Sequence, residues 1–349
     1  MKKLRVLVGE DSLTVRKRLI EILEADGELE VVGEAADGKR AIELCQQLRP
    51  DVVTLDMMMP VMSGLAATEY IMAYCPTPIL IVSASTNRGE LFRTYEALAA
   101  GAVDVLDKDV AGTADWEEKF ISTLKIVARV HVITHPRARL VASGIVPSLA
   151  PAVHVGRHRV VAIGASTGGP GALLRVLGAF PVNAPLPILV VLHLNERFGT
   201  AFAEWLNGQL PLDVTYAEDS EVLVGRRGQV IMAPPSRHMV VQGGRIRVTD
   251  GPERHSCRPS VDVLFESVAH EYRDGAIGCL LTGMGRDGAA GLLAIRGAGG
   301  RTIAQDEATS VVYGMPREAA ILGSAERILP LDRIGPALAG LAGVEGAIS

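Results

Sequence analysis

A serine near the middle of the chain lies in a setting that would suit a nucleophile. Ser166 is the central residue of Gly164–Gly168, a Gly-x-Ser-x-Gly match that follows the apolar run Val160–Ile163 and precedes a helix-compatible segment. Between a strand and a helix, this spacing can hold a serine hydroxyl exposed at the end of a buried strand. The glycines leave room for a sharp turn and for a substrate to approach the hydroxyl oxygen.

The same stretch has two other interpretations. A strand followed by a glycine-rich turn and a helix N-terminus can also bind phosphate groups, because free backbone N–H groups and the helix dipole both favour an anion. The turn could also be purely structural. On this stretch alone the three alternatives stay open.

Two further residues with suitable chemistry follow later strands. His193 ends the apolar run Pro187–Leu192, and Asp287 lies in Leu281–Gly288, a glycine-rich turn after another apolar run. Either residue alone is commonly structural, as a buried histidine or a helix cap. Acyl transfer, however, requires a serine, a histidine that takes the hydroxyl proton, and a carboxylate that orients the imidazole. Their joint occurrence at strand ends favours a catalytic triad.

The order of these residues limits the kind of hydrolase. An α/β-hydrolase carries its nucleophile first, then the acid and then the histidine. Here the order is Ser166, His193 and Asp287. The Gly-x-Ser-x-Gly match therefore does not indicate that family.

A second group of polar residues follows the apolar runs of the first third of the chain. Glu10 and Asp11 follow the first run, Asp56 the third, Ser83 the fourth and Lys108 the fifth. Three carboxylates in one crevice repel one another unless a cation joins them, and hard oxygen ligands suit Mg²⁺. A lysine and a hydroxyl nearby could neutralise and hydrogen-bond a phosphoryl group.

The elements that must position these residues alternate between strand-like and helix-like segments. Segments such as Thr14–Ala25 and Lys39–Leu48 have apolar residues at helical spacing. Such alternation predicts, in each half, a doubly wound parallel sheet whose ligands bind beyond the carboxyl ends of the strands. The predicted strands are Leu4–Val8, Val31–Glu34, Val52–Leu55, Ile79–Val82, Val103–Leu106, Val160–Ile163, Ile188–Leu192, Val214–Ala217, Gln229–Ala233, Gly278–Thr282 and Arg301–Ala304.

The 349 residues are enough for two domains. We predict a first domain over residues 1–127, ending in a helix over Trp116–Val130, a linker over 128–156 and a second domain over 157–349. No acidic residue lies between Glu118 and Glu196, whereas six lysines and arginines lie in or beside the linker. The linker is either a solvated connector or a tether that docks on an acidic surface. Its histidines have no convergent metal ligands in the sequence.

Composition excludes several classes of protein. The formal net charge of −5 gives no electrostatic case for binding nucleic acid. The N-terminus carries no signal-peptide pattern and no apolar run reaches membrane-spanning length, so we expect a cytoplasmic protein. The four cysteines form no disulfide or zinc pattern, and we expect small buried apolar residues in a reducing compartment. They are Cys45, Cys75, Cys257 and Cys279.

The first third of the chain resembles a two-component receiver domain. The motifs are Glu10–Ser12, Asp56–Gly64, Ser83-Ala84 and Gly101–Lys108. The resemblance implies a flavodoxin-like fold in which Asp56 accepts a phosphoryl group and Glu10, Asp11 and Asp56 hold Mg²⁺. It also implies that Ser83 and Lys108 contact the phosphoryl oxygens.

The receiver motif has two departures. Val105 stands where receivers often have an aromatic residue that reports the switch, and Asp109 stands where a proline usually follows the lysine. Phosphorylation does not depend on either residue. The departures therefore concern how the phosphorylated state is transmitted.

From about residue 157 to the C-terminus, the chain resembles the chemotaxis protein-glutamate methylesterase (CheB) family. The motifs are Gly164–Gly169, Val191–His193, Ala233-Pro234, Arg258–Asp262, Leu281–Gly288 and Ala304–Pro316. The resemblance implies a Rossmann-like esterase domain with Ser166 as nucleophile, His193 as general base and then acid, and Asp287 as the orienting carboxylate. It also makes the backbone N–H groups of Thr167 and Met284 candidates for stabilising the oxyanion.

This family resemblance implies a substrate, partners and a form of control. The reaction is hydrolysis of glutamate γ-methyl esters on chemoreceptors, with deamidation of receptor glutamines as a second activity and no cofactor in the esterase domain. A CheA-type histidine kinase is the phosphodonor, and the unphosphorylated receiver covers the esterase site. The segment Leu194–Glu196 departs from the Met-Pro that often follows the family's histidine, which concerns receptor preference.

Two rival functions remain at this point. One is a non-catalytic response regulator that binds an anionic ligand at the Ser166 loop, in which His193 would be dispensable. The other is a DNA-binding regulator, which the acidic charge and the lack of a compact helix-turn-helix after the linker disfavour.

Overall fold

The computed structural model describes residues 3–84, 87–108, 113–130, 132 and 158–344. The chain divides into two compact units, residues 1–146 and 147–349. Most of the predicted linker lies outside the described residues. Its boundaries and the proposed basic tether therefore stay predictions.

The first unit is built on a five-stranded parallel sheet. Its spatial order is β2-β1-β3-β4-β5, the doubly wound flavodoxin-like order, which confirms the predicted fold class. The predicted strands are all present with ends shifted by at most two residues. They are β1 (Leu4–Gly9), β2 (Leu29–Ala35), β3 (Val52–Leu55), β4 (Ile79–Ser83) and β5 (Asp104–Asp107).

Capping side chains explain where several helices of this unit begin. The Asp37, Ser63, Asn87 and Thr113 side chains each accept a hydrogen bond from a backbone N–H in the first helical turn. The cap at Thr113 places the start of the last helix two residues before the predicted one. The helices are α1 (Leu13–Ala25), α2 (Gly38–Leu48), α3 (Gly64–Tyr74), α4 (Arg88–Ala99) and α5 (Ala114–Val127).

The second unit contains a seven-stranded parallel sheet and a separate two-stranded hairpin. All six strands predicted for this unit are present in the sheet. The predicted α/β fold class is therefore confirmed for this unit as well. The strands are β6 (Val160–Ala165), β7 (Ile188–Leu192), β8 (Asp213–Tyr216), β9 (Gln229–Met232), β10 (His238–Gln242), β11 (Arg245–Thr249), β12 (Ala276–Leu280), β13 (Arg301–Gln305) and β14 (Arg327–Leu329).

The sheet order creates a crevice at its centre. The spatial order is β14-β13-β12-β6-β7-β9-β8, so β6 has β7 on one side and β12 on the other. In open parallel sheets, ligands bind at such a switch point beyond the carboxyl ends of the strands. The loops that follow β6, β7 and β12 therefore meet at one edge, and β6 is buried along its whole length.

Helices cover both faces of this sheet, which is why its strands read as continuous apolar runs. No helix within the described part of the chain is long and apolar enough to cross a membrane. The helices are α6 (Gly169–Leu177), α7 (Glu196–Gly199), α8 (Phe202–Gln209), α9 (Val261–Tyr272), α10 (Ala289–Gly297), α11 (Met315–Ile321) and α12 (Leu331–Leu341).

The hairpin of β10 and β11 was absent from the prediction, although its turn carries a sequence signal. Gly243 and Gly244 have φ angles of 60° and 70°, which glycine adopts without strain. Two glycines between alternating apolar and polar residues are typical of a tight hairpin. Strand β14 was also not predicted. It has only three residues, two of them exposed, which is too short for an apolar pattern typical of a strand.

Candidate active site

Ser166 lies in the turn between β6 and α6, where backbone hydrogen bonds fix its position. Its N–H donates to the Thr282 carbonyl at 3.0 Å, and its own carbonyl accepts from the Gly169 N–H at 2.7 Å. The residue is half-buried. Among the described residues, none forms a hydrogen bond with its hydroxyl, so that group is available to a substrate.

Two glycines allow the surrounding loops to approach Ser166. Gly168 has a φ angle of 77°, and a Cβ there would lie 2.5 Å from the Cβ of Val311. At Gly283, in the loop after β12, a Cβ would lie 2.7 Å from the Cβ of Ser166 and 2.3 Å from the Met315 sulfur. A side chain at either position would force this edge of the sheet apart.

His193 follows β7 directly and is held next to the Ser166 turn. Its backbone N–H donates to the carbonyl of Ala165 at 3.0 Å. Its Nε2 lies 3.0 Å from Oδ2 of Asp287, in the loop after β12. The structure therefore brings together two of the three predicted triad residues across the central crevice.

Asp287 is anchored at the N-terminus of α9. Its carboxylate accepts hydrogen bonds from the Ser260 hydroxyl at 2.8 Å and from the N–H groups of Val261 at 2.7 Å and Asp262 at 3.0 Å. Burial by itself would raise the pKa of this carboxyl, but the bonds from His193, Asp262 and Val261 outweigh it and lower the pKa. Asp287 is thus a fixed anion, which the helix dipole also favours.

The environment makes the His193 imidazole a strong base. Burial lowers its pKa, but the hydrogen bonds to Asp287 and Cys257 outweigh burial and raise the pKa to about 9. Because Nε2 is engaged by Asp287, Nδ1 is the nitrogen left to accept a proton. The tautomer with its proton on Nε2 is the one that this arrangement supports.

The structure does not join Ser166 to His193 by a direct hydrogen bond among the described residues. The Nδ1 atom instead faces the sulfur of Cys257, at 3.7 Å. Catalytic hydrogen bonds are often long without substrate and shorten in the complex. Ser166 and His193 follow the adjacent strands β6 and β7 and so share this edge of the sheet.

One of the four cysteines does not match the expectation that all of them are small buried apolar residues. Cys45, Cys75 and Cys279 are buried as expected, but Cys257 is partly exposed and contacts His193. The expectation was wrong for this residue because Cys257 lies in an irregular loop before α9, 64 residues from His193 in sequence. No local pattern indicates such a long-range contact.

Two residues without a predicted role hold the loops of the site together. The Thr282 hydroxyl donates to the Thr167 carbonyl at 3.0 Å and accepts from the Val312 N–H at 2.9 Å. The Thr282 N–H donates to the side-chain oxygen of Gln305 at 2.8 Å. Both belong to motifs singled out in the sequence, but their bonds depend on how three loops meet.

The two residues predicted to stabilise an oxyanion border the Ser166 turn. Thr167 follows Ser166 directly and is half-buried, whereas Met284 follows Gly283 and is 54% exposed. Gly283 packs against Ser166, so the Met284 backbone starts next to the nucleophile candidate. Their role stays a prediction.

The receiver unit gathers its polar residues around one lysine. The Lys108 ammonium lies 2.6 Å from Oε2 of Glu10 and 2.9 Å from Oδ2 of Asp56. Both carboxylates are buried. Burial raises the pKa of each carboxyl, although Lys108 opposes that effect.

The same residues fit a hard divalent cation. Glu10, Asp11 and Asp56 each offer a carboxylate oxygen, and these atoms lie within 4.8 Å of one another. One lysine cannot balance three carboxylates, and oxygen ligands at this spacing are those that Mg²⁺ prefers.

Of the remaining predicted receiver residues, two are buried in the sheet and one lies outside the described residues. Ser83 is buried at the end of β4, beside Asp107 of β5. Val105 is buried in β5. Asp109 lies outside the described residues.

Comparison with known proteins assigns both units. Residues 161–338 match the family model for the CheB methylesterase, and residues 6–114 match that for the response regulator receiver domain. The chain belongs to the CheB methylesterase family. It is 44% identical over 340 residues to a protein-glutamate methylesterase/protein-glutamine glutaminase of Anaeromyxobacter dehalogenans, covering 97% of this chain and 96% of that protein.

Further relatives agree with this family assignment. A protein of the same name from Nitrosospira multiformis is 40% identical over 356 residues, covering 98% of each chain. The crystal structure of the Thermotoga maritima CheB methylesterase catalytic domain is 35% identical, with a TM-score of 0.50, and covers 53% of this chain and 98% of that one. These comparisons support the esterase hypothesis and not the anion-binding alternative.

Proposed function

We propose that this CheB-family chain hydrolyses glutamate γ-methyl esters on the cytoplasmic helices of chemoreceptors and releases methanol. We also propose deamidation of receptor glutamines, the second activity in the names of its relatives. The observation that carries the proposal is the hydrogen bond of His193 to the anchored Asp287, at the sheet edge that also holds half-buried Ser166. That pairing supplies a base of the kind that serine catalysis needs.

The proposed reaction has two stages. The Ser166 hydroxyl oxygen attacks the ester carbonyl carbon while Nδ1 of His193 takes the hydroxyl proton, giving a tetrahedral oxyanion. When the oxyanion collapses, the bond to the methoxy group breaks, and the departing methoxide takes the proton from His193 and leaves as methanol. A water molecule then attacks the acyl-enzyme in the same way, and glutamate and Ser166 are regenerated.

Asp287 and the loop N–H groups have separate roles in this scheme. Asp287 accepts a hydrogen bond from the Nε2–H group of His193 throughout the reaction. It stabilises the imidazolium without itself becoming protonated. The backbone N–H groups of Thr167 and Met284 are the proposed donors to the oxyanion. In serine hydrolases, each such donor contributes about 10²–10³ in rate. With a glutamine substrate, the leaving group is ammonia instead of methanol.

The receiver unit is proposed to control this activity through phosphorylation at Asp56. Glu10, Asp11 and Asp56 would hold Mg²⁺, which neutralises phosphoryl oxygens, and Lys108 and Ser83 would contact the same group. A CheA-type histidine kinase is the proposed phosphodonor. The new phosphoryl group would add about 1.5 to 2 negative charges where Lys108 now pairs with two carboxylates, and so change the balance of the cluster.

Removal of the nucleophile tests the proposal. Ser166→Ala should lower methanol release from a methylated receptor to the rate without enzyme, because alanine has no hydroxyl to attack the ester. Phosphorylation of Asp56 should be unaffected, and Thr200→Ala, which replaces an exposed hydroxyl outside the proposed site, is the matched control. Methanol release by Ser166→Ala above the level without enzyme would contradict the assignment.

A further inference from the structure

The loop before α9 fixes Cys257 in place next to the candidate triad. Arg254 and Cys257 exchange backbone hydrogen bonds of 3.2 and 2.9 Å, which closes a tight turn. The two residues inside the turn, His255 and Ser256, have φ angles of 52° and 58°, in the left-handed region. Residues other than glycine adopt this region at a cost, and such strain clusters at functional loops.

The separation of the thiol and the imidazole matches that of two ligands on one zinc ion. The sulfur of Cys257 lies 3.7 Å from Nδ1 of His193. A tetrahedral Zn²⁺ with a sulfur ligand at about 2.3 Å and a nitrogen ligand at about 2.0–2.1 Å holds those two atoms roughly 3.6 Å apart. An ion can therefore bridge the pair with little movement of either side chain.

Asp287 prepares His193 for this role. A metal-bound histidine usually donates its second ring N–H to a carboxylate, which fixes the tautomer and leaves the other nitrogen free to bind. Here Nε2 lies 3.0 Å from Oδ2 of Asp287, so Nδ1 is the nitrogen that faces Cys257 and is left to bind an ion. The sulfur of Cys257, an imidazole nitrogen of His193 and a carboxylate oxygen of Asp287 lie within 4.8 Å of one another.

We propose that Cys257 and His193 form an inhibitory binding site for a thiophilic divalent cation, for which Zn²⁺ is the best match. On binding, the Cys257 thiol and a protonated Nδ1 of His193 each release a proton to solvent, sulfur and Nδ1 coordinate the ion, and water completes the coordination. Bound Zn²⁺ occupies the nitrogen that must accept the Ser166 proton, so the esterase stops. Mg²⁺ does not substitute, because it prefers oxygen ligands.

The link to esterase inhibition rests on the proposed function, but metal binding can be measured without it. In the full-length unphosphorylated protein, Co²⁺ is the probe, because a thiolate ligand gives a sulfur-to-cobalt charge-transfer band in the near ultraviolet. Co²⁺ bound to the oxygen ligands of the receiver cluster gives no such band. We expect the band in the wild type, its loss in Cys257→Ala and in His193→Gln, and its displacement by Zn²⁺.

The esterase assay supplies the second readout. Each variant's rate with Zn²⁺ is divided by its own rate in EDTA, so a change in basal activity does not affect the result. We expect Zn²⁺ to lower the wild-type rate at least tenfold, and Cys257→Ala to require at least tenfold more Zn²⁺ for the same inhibition. Cys75→Ala, which removes a buried receiver cysteine, is the control and should behave like the wild type.

The outcomes separate the two proposals. The metal site would be overturned if the charge-transfer band or the inhibition by Zn²⁺ were unchanged in Cys257→Ala. It would also be overturned if the wild-type protein were an active esterase but showed neither the band nor inhibition by Zn²⁺. If Co²⁺ binds through Cys257 and His193 but no methylated receptor is hydrolysed, the metal site is supported while the proposed function fails.

Discussion

The two ring nitrogens of His193 have different partners. Nε2 lies 3.0 Å from Oδ2 of Asp287, and Nδ1 is the proposed proton acceptor. In the Ser-His-Asp template of the proteases, the carboxylate instead binds Nδ1 and the base is Nε2. The chemistry is the same, because either nitrogen can accept a proton when the other is held by a carboxylate. The proposed triad therefore differs from that template in which ring nitrogen each partner uses.

The raised pKa of His193 predicts the pH dependence of the esterase. A general base must be neutral, and with a pKa of about 9 the neutral fraction increases about tenfold per pH unit below that value. We therefore expect kcat/KM to increase with pH and to level off near pH 9. Ser166→Ala, measured at each pH, corrects for alkaline hydrolysis of the ester.

A variant of Asp287 checks the cause of that pH dependence. The Asp287→Asn change removes the carboxylate that raises the pKa of His193, so the rise should shift to lower pH, while the maximal rate decreases by about 10⁴, as when a triad aspartate is neutralised. A wild-type kcat/KM that is constant between pH 6 and 8 would contradict this view of His193.

At the scale of loops and strands, the site depends on three turns meeting at the switch point of the second sheet. The Thr282 hydroxyl joins the Ser166 turn to the loop around Val312, and Gly283 packs on Ser166. Ser166, the proposed nucleophile, is therefore held from both sides by backbone contacts. Small changes in this packing should affect rate more than substrate binding.

Gly283→Ala tests this packing. The added Cβ would lie 3.1 Å from the Ser166 backbone nitrogen as well as close to two side chains, and overpacking of this kind costs about 1–3 kcal/mol. We expect a lower free energy of unfolding and a loss of at least ~10-fold in kcat, measured by chemical denaturation and methanol release. The control is Gly208→Ala in α8, where a Cβ has open space. A wild-type kcat in Gly283→Ala would show that the packing is irrelevant to catalysis.

Much of the arrangement of strands, helices and site loops is predictable from the sequence, for physical reasons. Parallel strands covered on both faces give continuous apolar runs, and capping residues such as Thr113 mark where helices begin. The placement of Ser166, His193 and Asp287 at strand ends follows from the same pattern. The contact of Cys257 with His193 and the bonds of Thr282 could not be predicted, because they depend on the packing of irregular loops that are distant in sequence.

At the scale of the whole molecule, the chain combines a receiver with an esterase, each with its own polar cluster. The receiver residues form a compact charged group of two buried carboxylates and Lys108. A tenfold change in esterase activity requires only about 1.4 kcal/mol of differential stabilisation between two states, which one phosphoryl group can supply.

Loss of the phosphoacceptor should remove this control. A small-molecule phosphodonor with Mg²⁺ should raise the wild-type esterase rate, whereas Asp56→Asn should keep its unstimulated rate and show no increase. Glu30→Gln, which neutralises an exposed carboxylate of the same domain, should respond like the wild type. Equal stimulation of Asp56→Asn would mean that another residue accepts the phosphoryl group or that the receiver does not control the esterase.

Covalent trapping shows whether Ser166 is a nucleophile activated by His193 and Asp287. A fluorophosphonate reacts with an activated serine, and mass spectrometry of the digested protein identifies the labelled residue. We predict labelling at Ser166 in the wild type, at least ~10³-fold slower labelling in His193→Ala, and none in Ser166→Ala. Labelling confined to another residue, or equal labelling rates in the wild type and His193→Ala, would rule out this role for Ser166.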